Sequence, residues 1–72
     1  MKNILSEDDR RWIGNAKQKK EDFVIVVTDE FSYEDYPVGV KKADLALKKI
    51  EYSNKSMQRV RYVLDVKTGK VV

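Results

Sequence analysis

The chain contains no cysteine and no histidine. The first absence excludes disulfides, thiolate nucleophiles and cysteine-based zinc sites. The second excludes imidazole as general base or metal ligand. Glycine occurs three times, as Gly14, Gly39 and Gly69, too far apart to build a phosphate-cradling loop. Proline occurs once, at Pro37. The longest apolar run is Phe23-Val24-Ile25-Val26-Val27, far short of the ~20 residues that a membrane span needs. The opening MKNILSEDDRRW has only Ile4-Leu5 as an apolar pair before charges begin, which is not a leader pattern. A cytoplasmic protein with no membrane partner is expected. Repeats, low-complexity tracts and linkers are also missing, so 1–72 is read as a single domain. A chain of this size buries only ~60% of its unfolded surface. With neither disulfide nor zinc to help, stability has to come from packing or from a partner.

What the chain does have is charge, unevenly placed. Fifteen Lys and Arg oppose twelve Asp and Glu, for a net +3. Residues 29–40 hold Asp29, Glu30, Glu34 and Asp35 and no base, whereas residues 41–72 hold nine bases against three acids. An acidic central segment therefore precedes a basic C-terminal half.

Periodicity gives the elements. Ser6 can cap a helix, Glu7, Asp8 and Asp9 suit its first turn, and Lys17, Lys19 and Lys20 suit its end; with Trp12, Ile13 and Ala16 as apolar stripe, the reading is a short helix over 6–18. Residues 22–28 are β-branched and aromatic. They are apolar on both alternating sets, with Phe23, Ile25 and Val27 on one face and Val24 and Val26 on the other, the mark of a central strand. A turn at Asp29-Glu30 returns the chain, and Phe31, Tyr33, Val38 and Val40 can alternate on a second strand, which Pro37 demotes to an edge. Ala43, Ala46, Leu47 and Ile50 lie at helical spacing and predict a longer helix over 41–55. Residues 57–67 alternate, with Val60, Tyr62, Leu64 and Val66 facing one way and Arg59, Arg61, Val63, Asp65 and Lys67 the other. Lys67-Thr68-Gly69-Lys70 reads as a tight turn, leaving Val71-Val72 as a stub. The expected fold is a small α+β domain in the order α-β-β-α-β. Its three-stranded antiparallel sheet has strand order 2-1-3, with the long helix on one face and the N-terminal helix on part of the other. The expected core is Phe23, Ile25, Val27, Leu47, Ile50, Tyr62 and Leu64.

Four short patterns invite chemistry and lack its context. Lys67-Thr68-Gly69 matches the Lys-Thr-Gly triplet of penicillin-recognising enzymes, but no Ser-x-x-Lys accompanies it, so a hairpin turn is preferred. Asp65-x-Lys67 has the shape of half a metal-dependent nuclease site. Asp44 or Glu51 offers a second carboxylate, but on a helix with cationic neighbours, and the chain is too short for that sheet, so a solvated strand face is preferred. Asp29, Glu30, Glu34 and Asp35 lack the spacing and the glycine of a calcium loop. Asn54-Lys55-Ser56 is a glycosylation sequon by pattern alone. No catalytic residue, no metal site and no cofactor is assigned, and the chain is expected not to be an enzyme.

Two surfaces remain. Lys41, Lys42, Lys48 and Lys49 on the helix, with Arg59, Arg61 and Lys67 on a strand face, offer the charge that phosphates require. No aromatic alternates with Arg59 and Arg61 on their own face to stack bases. The acidic-aromatic stretch Phe31, Tyr33, Glu34, Asp35 and Tyr36 offers a protein contact, because tyrosine in a polar loop gives large contact area at low entropic cost; the opposing reading is that its aromatics fold back into the core. In its size, its charge density and its β-β-α-β core, the chain resembles the small accessory proteins of bacteriophages and mobile elements that bind and modulate host proteins. That resemblance implies a protein-binding modulator and transfers no residues. The expected function is a small non-catalytic protein-binding module, monomeric or homodimeric, and the alternative is a nucleic-acid-binding domain using the basic helix and strand.

Overall fold

A computed structural model of the chain describes residues 5–72. The stretch 1–4, part of the segment searched for a leader, lies outside the described residues. Helix α1 spans Glu7–Gln18. Ser6 Oγ accepts the Asp9 N–H and the Asp9 carboxylate accepts the Ser6 N–H, both at 3.1 Å, closing a capping box. At the other end Lys20 takes the left-handed φ of 60°, its N–H bonds Lys17 O, and the Glu21 N–H bonds Ala16 O. This is the Schellman stop, with lysine where glycine is usual.

Strand β1 (Phe23–Asp29) pairs antiparallel with β2 (Glu34–Val40) on one side and β3 (Gln58–Asp65) on the other. A 3-10 turn, Lys42–Asp44, leads into helix α2 (Leu45–Ser53), shorter than the 41–55 expected. The two helices cover opposite faces of the sheet. Ile13 and Ala16 of α1 pack with Val24, Val26, Leu64 and Val66, while Leu45 and Tyr52 of α2 pack over Ile25, Val27, Val40 and Val63. The two-sided apolar composition of β1 is thus satisfied from both sides. Ile25, Leu64, Val24, Val26 and Val27 are all but fully buried, and four of the five lie on this one strand. Each contributes roughly 1.5–3 kcal/mol.

Four further expectations need correction. Phe31 and Tyr33, expected on the second strand, lie in the turn before it, because the turn runs on past Asp29-Glu30 and β2 begins only at Glu34. The sheet has four strands in the order β2-β1-β3-β4, because Lys70–Val71 forms β4 against Leu64 and Asp65. The stub pairs because Asp65 organises the turn: its Oδ1 accepts the N–H of Lys67 and of Thr68, its carbonyl accepts the Gly69 N–H, and Gly69 supplies the left-handed φ of 72°. Leu47 and Ile50 are not core but 70% and 59% exposed. Helix α2 has two apolar stripes, and the one carrying Leu45 and the large Tyr52 ring meets the sheet. Finally, the alternation of β3 breaks. Val26 pairs Tyr62 but Val27 pairs Val60, so Arg61 is an extra residue in a β-bulge. Val60 consequently packs on the α2 face, and Arg61 joins Tyr62 on the α1 face.

The ladder also fixes the edge. Val66 N–H bonds Asp22 O and Glu30 N–H bonds Met57 O, which places the even-numbered residues of β1 toward β3 and the odd-numbered ones toward β2. Through the β1–β2 register, the outward-facing backbone of β2 is therefore Asp35, Pro37 and Gly39. Pro37 sits where its missing N–H breaks no bond.

Candidate functional site

The link between β1 and β2 is held by Asp29. Its Oδ1 accepts the Phe31 N–H at 2.9 Å and its carbonyl accepts the Tyr33 N–H at 2.6 Å. The loop ends on Tyr33, whose φ of 59° is left-handed, a conformation that costs a bulky residue about 1–2 kcal/mol. On this ordered loop Phe31 is 81% exposed and Tyr33 82%.

The acidic-aromatic stretch then divides by strand alternation. Tyr36 turns toward the α2 face, half-buried, and its hydroxyl donates to Gln58 Oε1 at 2.8 Å. Burial raises its pKa, with smaller contributions from Tyr52 and Asp29. Asp35 turns to the α1 face, where it accepts the Thr28 hydroxyl at 2.7 Å and the Arg61 guanidinium at 2.6 Å. The Thr28 bond first, then the Arg61 bond and charge, hold its carboxyl below the usual carboxylate range against the opposing effect of burial. Glu34 is exposed and, among the described residues, forms no ion pair.

The Arg61–Asp35 pair bridges β3 and β2 across the central strand, and the bulge is what aims Arg61 there. Beside it, Tyr62 donates its hydroxyl to the buried Asp9 at 2.8 Å. Desolvation, and then this bond to a carboxylate, push the Tyr62 hydroxyl up to about 12. Between the start of α1 and the β1–β2 loop lies a cleft of about 530 Å³. Trp12, Tyr33 and Tyr62 supply its aromatic surface, and Asp8, Asp9, Glu34 and Asp35 line it with Arg61, Asp8 being paired at 2.6 Å with Arg11. The cleft is thus acidic with aromatic walls, a setting for a cationic side chain lying against an aromatic ring.

Sequence reasoning grouped Phe31, Tyr33, Glu34, Asp35 and Tyr36, and the structure brings Tyr33, Glu34 and Asp35 to this cleft, leaves Phe31 exposed on the loop and separates Tyr36 onto the other face. It did not find Asp9, Trp12, Arg61 or Tyr62 as neighbours of the acidic stretch. Asp9 carried a signal, as the capping-box acid, but only for the helix. The basic set is spread over several surfaces. Lys41, Lys42 and Lys49 are exposed around α2, and Lys48 lies 3.4 Å from Glu51. Arg59, paired with Thr28, lies on the α1 side with its Nε 3.8 Å from Glu30. Lys67 borders a separate depression with Lys17 and Lys42. Among the described residues no three carboxylates gather as a metal site, and no helix is long and apolar enough to cross a membrane. Compared with protein-family models, with curated proteins and with solved structures, the chain matches none.

Proposed function

We propose that the chain is a non-catalytic protein-binding module whose contact surface is the Phe31–Tyr33 loop and the acidic cleft beside it, and that its partner presents a basic segment. The observation that carries this reading is the pair of aromatics held out on an ordered loop. Phe31 and Tyr33 contribute almost nothing to the core. Glycine or asparagine at 33 would suit the left-handed backbone better. Strain retained by an exposed aromatic supports a role in contact rather than in folding. The four cleft carboxylates, set against Arg61 and against Arg11 paired with Asp8, leave a net negative cleft that gives the partner its sign. The resemblance in size and charge density to phage and mobile-element accessory proteins supports the same reading, a modulator that acts by occupying another protein.

The test is affinity capture with the wild-type chain and with a Phe31→Ser, Tyr33→Gly variant, each with and without nuclease. The wild type should retain the same partner after nuclease, and the variant should lose it while melting no lower than wild type, since glycine relieves the strain at 33. Undiminished capture by the variant defeats the proposal. Capture that disappears with nuclease defeats it too, and brings Lys41, Lys42, Lys48, Lys49, Arg59, Arg61 and Lys67 forward as a nucleic-acid surface.

A further inference from the structure

Helix α2 turns its most regular apolar stripe away from its own domain. Ala46, Leu47 and Ile50 of α2, preceded by Ala43 of the 3-10 turn, follow one another at helical spacing, and all four are exposed. Leu45 and Tyr52 hold the opposite face of the helix on the sheet. At 3.6 residues per turn Lys49 flanks the exposed stripe on one side and Glu51, 3.4 Å from Lys48, flanks it on the other, with Asp44 of the 3-10 turn on the Glu51 side.

We propose that this face pairs with the same face of a second copy of the chain, the two α2 helices running parallel about a two-fold axis. The flanking charges decide both the occupant and the direction. A two-fold that makes the helices antiparallel sets each flank against itself, lysine on lysine and carboxylate on carboxylate. A two-fold along the helices sets Lys49 of each copy against Asp44 and Glu51 of the other, on both sides of the apolar seam. An anionic lipid surface or a uniformly acidic helix would meet its own sign on the Asp44 and Glu51 flank. A seam with opposite flanks is complementary to itself. The span from Lys42 to Ser53 is only about 18 Å long. It cannot reach the ~800 Å² per partner of a stable complex, so the dimer is transient and accumulates with protein concentration. This proposal makes no use of the Phe31–Tyr33 loop.

Because the chain has no cysteine, one introduced thiol reports the direction. Asn54, exposed at the end of α2, continues the stripe four residues after Ile50. Under mild oxidation N54C should cross-link to itself, A43C should cross-link to itself, and a mixture of the two should give little mixed product. Sedimentation should show concentration-dependent dimer that Leu47→Glu weakens at least about tenfold, with an unchanged circular dichroism spectrum because Leu47 supports no core. Lys49→Glu should weaken the dimer, and Lys49→Glu with Glu51→Lys should restore it. A chain that stays monomeric at high concentration overturns the proposal. So does cross-linking confined to the 43/54 mixture, or a Lys49→Glu variant that dimerises more tightly, both of which are the antiparallel signature.

Discussion

Tyr62 shows how much a single side chain can join. It lies opposite Val26 in the sheet, packs beside the α1 core, and its hydroxyl reaches Asp9 at the start of the helix. Its pKa stands at about 12 in the fold against 10 for the free side chain. A raised folded value means that its contribution is fully present below about pH 10 and is lost as pH rises through 12. Urea midpoints measured across that window should therefore fall, and should fall less steeply in Tyr62→Phe. Tyr36, also raised by burial, accounts for part of the slope that remains. At neutral pH the same variant should be less stable by about 1–3 kcal/mol, since the buried Asp9 loses one of its donors. A variant whose alkaline profile matches wild type would place the pH dependence elsewhere. Nothing in the residue pattern signals the Tyr62–Asp9 contact. The two residues are 53 positions apart, and each already had a sufficient local explanation, one as a strand residue and one as a helix-start acid.

Where local chemistry dictates an element, it was legible. Ser6 and three acids mark the start of α1, and the unbroken run Phe23–Val27 marks a strand covered on both sides. The edge position of β2 followed from Pro37. The rest depended on choices that only packing makes. Two apolar stripes compete on α2, and the larger ring of Tyr52 wins the sheet although Leu47 and Ile50 are the more hydrophobic. The bulge at Arg61 leaves no trace in a strand that alternates well by composition. The fourth strand rests on an Asp65-centred turn rather than on Val71 and Val72 themselves. The candidate loop was legible as acidic and aromatic, but its cleft was not, because five of the residues that complete it, Asp8, Asp9, Trp12, Arg61 and Tyr62, come from α1 and β3. These assignments have energetic consequences. Leu64→Ala, at a fully buried site, should cost about 2–5 kcal/mol. Leu47→Ala should stay within about 0.5 kcal/mol in the monomer. Equal losses in dilute thermal melts would mean that α2 is rotated from the orientation described.

Across the whole molecule, the sheet carries its most hydrophobic strand in the middle and spends both helices on covering it. The strand that would be most dangerous in the open, five consecutive apolar residues of high β propensity, is reached only past β2 or β3. Along β2, the outward backbone offers N–H groups at Asp35 and Gly39 but none at Pro37 between them. That gap has a consequence for the protein as a solute. A strand arriving from another molecule finds its hydrogen-bond ladder interrupted at the central rung, so fibre growth from this edge is poorly templated. One absent hydrogen thus works against edge-to-edge association. Pro37→Thr should leave the melting temperature nearly unchanged, since the restored N–H points to solvent. In quiescent storage it should shorten the lag before thioflavin-positive aggregates form. An unaltered lag would show that the charged side chains along β2, rather than the missing donor, keep its edges apart.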